Sequence, residues 1–382
     1  MRPDDLAATV VRAALDQVPQ LDPEAIDDLV LGCGQPGGES GFNLARVVAV
    51  RLGYDQLPGA TITRYCSSSL QTTRMAMHAI RAGEGDVFVS AGVETVSRAV
   101  KGNSDTLPDT ENPAFDDAKA RTATAAAGGG SVWHDPREDG ALPDVYVAMG
   151  QTAENVAALR GVTRAEQDEF AVRSQNLAEQ AIKDGFYARE ITPVTLPDGT
   201  VVDTDDGPRP GVTLEALSQL KPVFRPDGTV TAGNCCALND GAAGLVVMSE
   251  HKARELGITP LARVVATGLS ALSPEIMGLG PVQASRRALA NAGMTIDDVD
   301  LVEINEAFAA QVIPSYRDLG IDLDRLNVHG GAVALGHPFG MTGARITCTL
   351  LNGLAERDKT VGLATMCVGG GQGMAMIIER LS

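Results

Sequence analysis

The sequence predicts an α/β protein built from two copies of one βα-rich unit, interrupted by an insertion of different character. Three observations carry that prediction. First, residues 10–18 read as a helix followed by an Ile26-Asp27-Asp28 turn and a short apolar strand, and residues 284–293 read as a helix followed by Ile296-Asp297-Asp298 and another such strand. Second, hydrophobic residues are 44% against 21% charged, which fits an ordered globular chain and excludes a mainly disordered one. Third, several apolar strands run straight into turns rich in glycine, the residue with 42 copies in 382 positions.

The remaining elements follow the same parallel. Residues 60–64 read as a strand entering Cys66-Ser67-Ser68-Ser69 and then a helix over 70–81. In the second copy, residues 327–332 take the place of that strand and lead into Gly336-His337-Pro338-Phe339-Gly340, and a helix follows over 343–354. Residues 86–93 and 361–366 have the continuous apolar character of buried strands, the latter opening into Cys367-Val368-Gly369-Gly370-Gly371. Between the copies, Gly128-Gly129-Gly130, a lone Trp133 and helices over 150–160 and 163–184 mark a Gly/Pro/Asp-rich insertion. Its second helix starts on a capping box, Thr163 with Glu166. An insertion of this size covers an active site or makes a subunit contact. The expected organisation is a first half over 1–97 plus 230–250, an insertion over 98–229 and a second half over 251–382. The second half opens with a strand at 261–268; the first half lacks a counterpart, because its first residues read as a helix cap and first turn.

Charge and cysteine usage narrow the function. Lys+Arg 31 against Asp+Glu 49 leaves a net charge of -18, which argues against nucleic-acid and polybasic membrane-surface binding. The six cysteines show no zinc spacing, the start does not resemble a secretory signal, and no apolar run reaches the length of a bilayer span. A reducing cytoplasm, without metal, is the expected setting, and it leaves a thiol free to act as a nucleophile.

Gly32-Cys33-Gly34-Gln35-Pro36-Gly37 matches the dinucleotide pattern G-x-G-x-x-G after a strand. Pro36 inside the turn, a helix starting only near Asn43 and the lack of a following acidic strand end argue against it. Cys66 is the best nucleophile, sitting where a strand meets a helix, so free N–H groups and the helix dipole are expected to lower its thiol pKa. His337, between Gly336 and Pro338, is placed as a general base, and His329 supplies a second candidate imidazole. Cys367 ends a buried strand beside glycines whose bare backbone offers N–H donors to an oxyanion. Asn305 and Glu306 put an amide and a carboxylate at a strand end, Glu306 reading equally as a helix-capping charge.

Cys66-Ser67-Ser68, Asn305-Glu306-Ala307-Phe308, Gly330-Gly331-Ala332 with Gly336-His337-Pro338, and Cys367-Val368-Gly369-Gly370-Gly371 together resemble the thiolase family. Thr231-Ala232-Gly233-Asn234, Asn239-Asp240-Gly241-Ala242 and Met149-Gly150 with Ala153-Glu154-Asn155 are similar to it as well, so the likeness spans the chain. The resemblance implies the thiolase fold, two mixed-sheet halves in a five-layered αβαβα core with an inserted loop domain. It implies reversible thiolysis of a 3-ketoacyl-CoA by CoA, with no cofactor beyond coenzyme A as substrate, in a homodimer or homotetramer. Carried over, Cys66 takes the acyl group, His337 accepts its proton or activates CoA, and Cys367 moves the proton at the α-carbon. Asn305, through an ordered water, joins His337 in binding the enolate oxygen. Met149, Arg209, Cys236 and Gly369 fall at substrate or CoA contacts, and local cations in the insertion would meet the CoA phosphates against the overall negative field.

The sequence departs from the family pattern at four places. Ser69 replaces a usual glycine and would crowd the turn beside Cys66; His329 stands where Asn is usual; Cys236 stands where Ser is usual. Ala148 stands where short-chain biosynthetic members have His, which points to degradation of larger 3-ketoacyl groups. Two other readings stay open: a ketoacyl-synthase-like condensing enzyme, against which Cys367 speaks, and a non-catalytic CoA-binding scaffold, suggested by Ser69 and the absent strand.

Overall fold

A computed structural model of the chain describes residues 1–101, 108–128 and 132–382. Gly129 and Gly130 of the glycine run lie outside the described residues. The first half contains α1 (Pro3–Asp16), β1 (Asp28–Gly32), α2 (Leu44–Arg51), β2 (Gly59–Ile62), α3 (Ser68–Ala82) and β3 (Val87–Thr95). Then come α4 (Asp116–Ala126), α5 (Met149–Arg160), α6 (Arg164–Lys183), the small hairpin β4 (Val194–Thr195) and β5 (Val201–Val202), and α7 (Leu214–Ser218). The chain returns to the first sheet as β6 (Asp240–Met248) and leaves through α8 (Glu250–Glu255). The second half holds β7 (Ala262–Ala271), α9 (Gly280–Ala292), β8 (Leu301–Ile304), α10 (Ala309–Leu319), α11 (Ala332–Leu335), α12 (Thr342–Glu356), β9 (Val361–Val368) and β10 (Gln372–Arg380).

Each half forms a mixed four-stranded sheet, in the order β2-β1-β3-β6 and β7-β10-β9-β8. The parallel β1–β3 and β8–β9 pairs are buried on both faces, which explains why these strands read as unbroken apolar runs. α3 and α12 pack on each other between the sheets, and the outer helices cover the far faces, giving five layers. Ala7, Val11, Leu29, Leu44, Val48 and Val89 fill one outer core; Val282, Leu289, Val302, Val312, Ile313 and Ile377 fill the other. Leu70, Ile346, Leu350, Met366 and Met374 pack between the sheets. The capping box at the start of α6 is present, with Glu166 Nα donating to Thr163 Oγ1 at 3.2 Å and Thr163 Nα donating to Glu166 Oε2 at 2.7 Å. Residues 327–332, by contrast, form no strand, only isolated bridges before α11.

The repeat is asymmetric in one respect. β10 is flanked by β7 and β9, whereas β6 pairs only with β3 among the described residues. Along the open edge of β6 lies a cavity of about 1170 Å3 walled by Val10, Met77, Leu245 and Leu351; Cys66, His337 and Cys367 do not line it. Trp133 ties the insertion to the second half through Nε1 to Glu275 Oε2 at 2.7 Å, a structural anchor.

Candidate active site

Between β2 and α3 the chain turns sharply at Tyr65, a bulky residue held at φ +42. Such left-handed backbone costs on the order of 1–3 kcal/mol and persists only where surroundings impose it. Here Ser68 imposes it: its Oγ donates to Tyr65 O at 2.7 Å and accepts from Arg64 Nα at 2.9 Å. The turn swings Cys66 out of the strand line towards the end of β9. The Cys66 side chain is buried among inter-sheet residues, with the Gly369 N–H directed at its sulfur. Gly370 and Gly371, at φ +76 and +78, give the β9–β10 turn a path that a side chain would resist.

Burial decides the thiol's protonation. It pushes Cys66 up to about 11, while the Gly369 and Cys66 N–H groups act in the opposite direction and do not overcome it. The expected low-pKa thiolate at a helix N-terminus is therefore corrected: the resting group is a neutral thiol. Cys367, wholly buried at the end of β9, is raised well above the ordinary thiol value by the same cause. The Cys66, Cys236 and Cys367 thiols lie within electrostatic reach of one another. Cys236 is fixed by its N–H donating to Ala307 O at 3.0 Å, beside the loop that follows Asn305.

His337 is 2% exposed, and burial together with the Arg345 guanidinium holds its pKa down to about 3. Its Nδ1 lies 2.7 Å from Thr342 Oγ1, which donates its own hydrogen to Pro338 O at 2.8 Å. Thr342 therefore accepts from Nδ1–H, and the imidazole presents Nε2 as an unprotonated acceptor. That Nε2 is buried without a partner among the described residues, and so are both side-chain polar atoms of Asn305. Asn305 directly follows β8, its backbone held by Nα to Thr365 O at 3.0 Å on the neighbouring strand. Buried polar atoms that no protein group satisfies are uncommon and point to a ligand or water.

Cys66, Cys236, Cys367 and the Gly369 N–H thus lie together; the loop after His337 meets the helix after Cys66 through Ser69 Nα donating to Gly340 O at 3.1 Å, and Asn305 is joined to the strand that carries Cys367. Met149 sits half-buried at the start of α5 against the second-half core. Arg209 is exposed on the insertion, its main-chain N–H donating to Gln175 Oε1 at 3.0 Å. Among the insertion cations, Arg164 is paired with Asp168 at 2.7 Å, whereas Arg225 bonds the neutral Gln151 and Asn155 side chains.

Three sequence readings are resolved here. Of the two roles open for Glu306, the capping one holds: it is buried and accepts from Val333 Nα in the first turn of α11 at 3.1 Å, and also from Ser174 Oγ at 2.5 Å and Asn327 Nδ2 at 2.8 Å. His329 turns away, stacking on Phe186 at 3.6 Å between ring centroids and pairing with Glu356 Oε2 at 2.7 Å. Ser69 does not crowd the turn: its Oγ accepts from Ala344 Nα at 2.9 Å, capping α12 from the neighbouring helix. Glu94 and Thr342 were missed by motif reading; the available signals were a charge ending an apolar strand and a hydroxyl five positions after the histidine.

The chain is similar to known proteins along its whole length. Residues 1–251 match the model of the thiolase N-terminal domain and residues 258–380 that of the thiolase C-terminal domain. A 3-ketoacyl-CoA thiolase of Saccharophagus degradans is 43% identical over 390 residues, covering 100% of this chain and 93% of that protein. A beta-ketoadipyl-CoA thiolase of Escherichia coli is 42% identical, covering 100% and 94%. The crystal structure of the Bacillus anthracis acetyl-CoA acetyltransferase superposes with a TM-score of 0.85 at 37% identity, covering 100% and 93%.

Proposed function

The chain belongs to the thiolase family of acyltransferases, and on that premise we propose that it cleaves a 3-ketoacyl-CoA with CoA, giving acetyl-CoA and a shortened acyl-CoA through an acyl thioester on Cys66. The reading is carried by a buried neutral thiol under the Gly369 N–H and by an imidazole whose Nε2 is an open acceptor, on a loop whose Gly340 O accepts from Ser69 Nα of the helix that follows Cys66. A thiol near 11 and an imidazole near 3 do not form an ion pair, so His337 takes the Cys66 proton as the sulfur attacks the ketone carbon. The N–H groups of Cys66 and the Cys367 turn receive the oxyanion. As the carbon–carbon bond breaks, Cys367 gives its proton to the departing α-carbon, and Asn305 with His337 holds the enolate oxygen. The proton on His337 passes to the Cys367 thiolate. His337 then takes the proton of incoming CoA, whose sulfur attacks the thioester, and Cys66 leaves with that proton.

The scheme uses coenzyme A as substrate and no further cofactor; Met149, Arg209 and Cys236 are assigned to its binding. Degradation of larger acyl groups is the preferred direction, supported by the small Ala148 ahead of α5. A reducing cytoplasm suits the six free cysteines, and among the described residues no helix is long and apolar enough to cross a membrane. A homo-oligomer is supported by the outer edge of β2, unpaired among the described residues, and by exposed Val100 and Val132 on the insertion. Cys66→Ala is expected to abolish CoA-dependent loss of acetoacetyl-CoA and of longer 3-ketoacyl-CoA substrates, together with the acyl mass shift on Cys66 in the unmodified protein. Full turnover by Cys66→Ala would overturn the assignment.

A further inference from the structure

The imidazole assigned as base is carried by a loop of the second half, where Thr342 holds the ring, yet the backbone of that loop is also held by the first half. Residues 338–341 lie directly on the ends of β1 and β3. A Cβ at Gly92 would run into Gly340 O, one at Gly340 would come within 2.8 Å of Cys33 Cα, and one at Gly34 would come within 2.7 Å of Phe339 Cβ. Ser69 Nα, at the start of the nucleophile's helix, donates to Gly340 O at 3.1 Å.

Into this backbone-to-backbone contact the chain places a carboxylate. Glu94, 4% exposed at the end of β3, accepts from Gly340 Nα at 2.8 Å, Gly34 Nα at 2.7 Å and Gln35 Nα at 3.3 Å. No lysine or arginine pairs with it among the described residues. Burial raises the Glu94 carboxyl above its ordinary range, and main-chain N–H groups drawn from both halves oppose that shift by favouring the carboxylate. The glycine turn that superficially matches a dinucleotide fingerprint thus forms a seat for the histidine loop.

We propose that Glu94 is a positioning residue for His337: its carboxylate pins the Gly340 N–H, and with it the imidazole, against the strand ends beside the nucleophile's helix. The inference rests on the reading of His337 as the base. Displacing a base by about 1 Å costs on the order of a hundredfold in rate.

Glu94→Gln retains size but turns an amide nitrogen towards N–H donors. The expected result is a fall in kcat of about tenfold to a hundredfold, with KM for CoA within about twofold and faster deuterium uptake across residues 336–343. Glu94→Asp, which keeps the charge on a shorter arm, recovers part of that loss. Gly34→Ala, whose methyl would meet both Glu94 Oε2 and Phe339 Cβ at 2.7 Å, reproduces it with the carboxylate intact. A folded Glu94→Gln protein with near-normal kcat, a rate loss without increased uptake in 336–343, or failure of both Glu94→Gln and Gly34→Ala to fold would overturn the proposal. His337→Ala run alongside separates the two claims. If it is inactive while Glu94→Gln is unaffected, only the positioning role falls; if it turns over normally, the assigned base and the positioning role fall together.

Discussion

Ser69 offers a sharp test of how the two halves are coupled. α12 begins at Thr342 after Met341, whose side chain makes no cap hydrogen bond. Its third residue, Ala344, instead donates its N–H to Ser69 Oγ at 2.9 Å, and both residues are wholly buried. Ser69→Ala removes that acceptor. The space offers little room for a replacement water, because a Cβ at Gly92 would stand 2.7 Å from Ser69 Cβ. The stranded amide should cost about 1–3 kcal/mol, the usual penalty for a buried donor left unpaired and comparable to loss of a helix cap. For a chain of this size that is a fall in melting temperature of about 1–4 °C. Differential scanning calorimetry without ligand measures it. Ser285→Ala is the matched control, since Ser285 Oγ is buried with no partner among the described residues and its removal should be neutral or stabilising. Equal melting temperatures for Ser69→Ala and the parent would refute the capping argument.

Other perturbations follow from the same geometry. His337, held at about 3 in the fold against an ordinary 6.5, lets the unfolded chain bind a proton that the folded one refuses; the contribution is present above about pH 6.5 and is lost as pH falls towards 3. His337→Gln should therefore lose melting temperature less steeply over that window, and identical slopes would contradict it. Thr342→Val removes the acceptor that holds Nδ1–H; kcat should drop about tenfold to a hundredfold with little change in KM for CoA, and an unaltered kcat would show that the tautomer is held otherwise. Because β6 has one paired edge and β10 has two, deuterium uptake should be faster across residues 241–248 than across 373–380. Equal protection would mean that the open edge of β6 is covered in solution.

The two halves and most of their elements were legible because they depend on local pattern. Apolar runs at β3 and β9, the Ile296-Asp297-Asp298 turn and the Thr163 capping box are written in neighbouring residues and formed close to their expected places, whereas in the first copy the turn is Pro23–Ala25 and Asp28 already opens β1. The motifs also named the groups that converge, since a thiol at a strand–helix junction and a histidine between glycine and proline are uncommon arrangements. Legibility failed where a property depends on residues far apart in the chain. Glu94 and Gly340 stand 246 positions apart, and His329 looks like a spare imidazole until Phe186 and Glu356 are seen against it.

The sequence by itself determined an acidic, two-copy α/β chain with a candidate nucleophile, base and second thiol, because composition, periodicity and short motifs are properties of consecutive residues. Only the tertiary structure decided their protonation and their supports. Burial between the two sheets keeps Cys66 a thiol and His337 a free base, and it brings Ser69 to the start of α12 and Glu94 beneath the histidine loop. Desolvation and cross-half hydrogen bonds depend on which surfaces the sheets press together, and no local pattern encodes that.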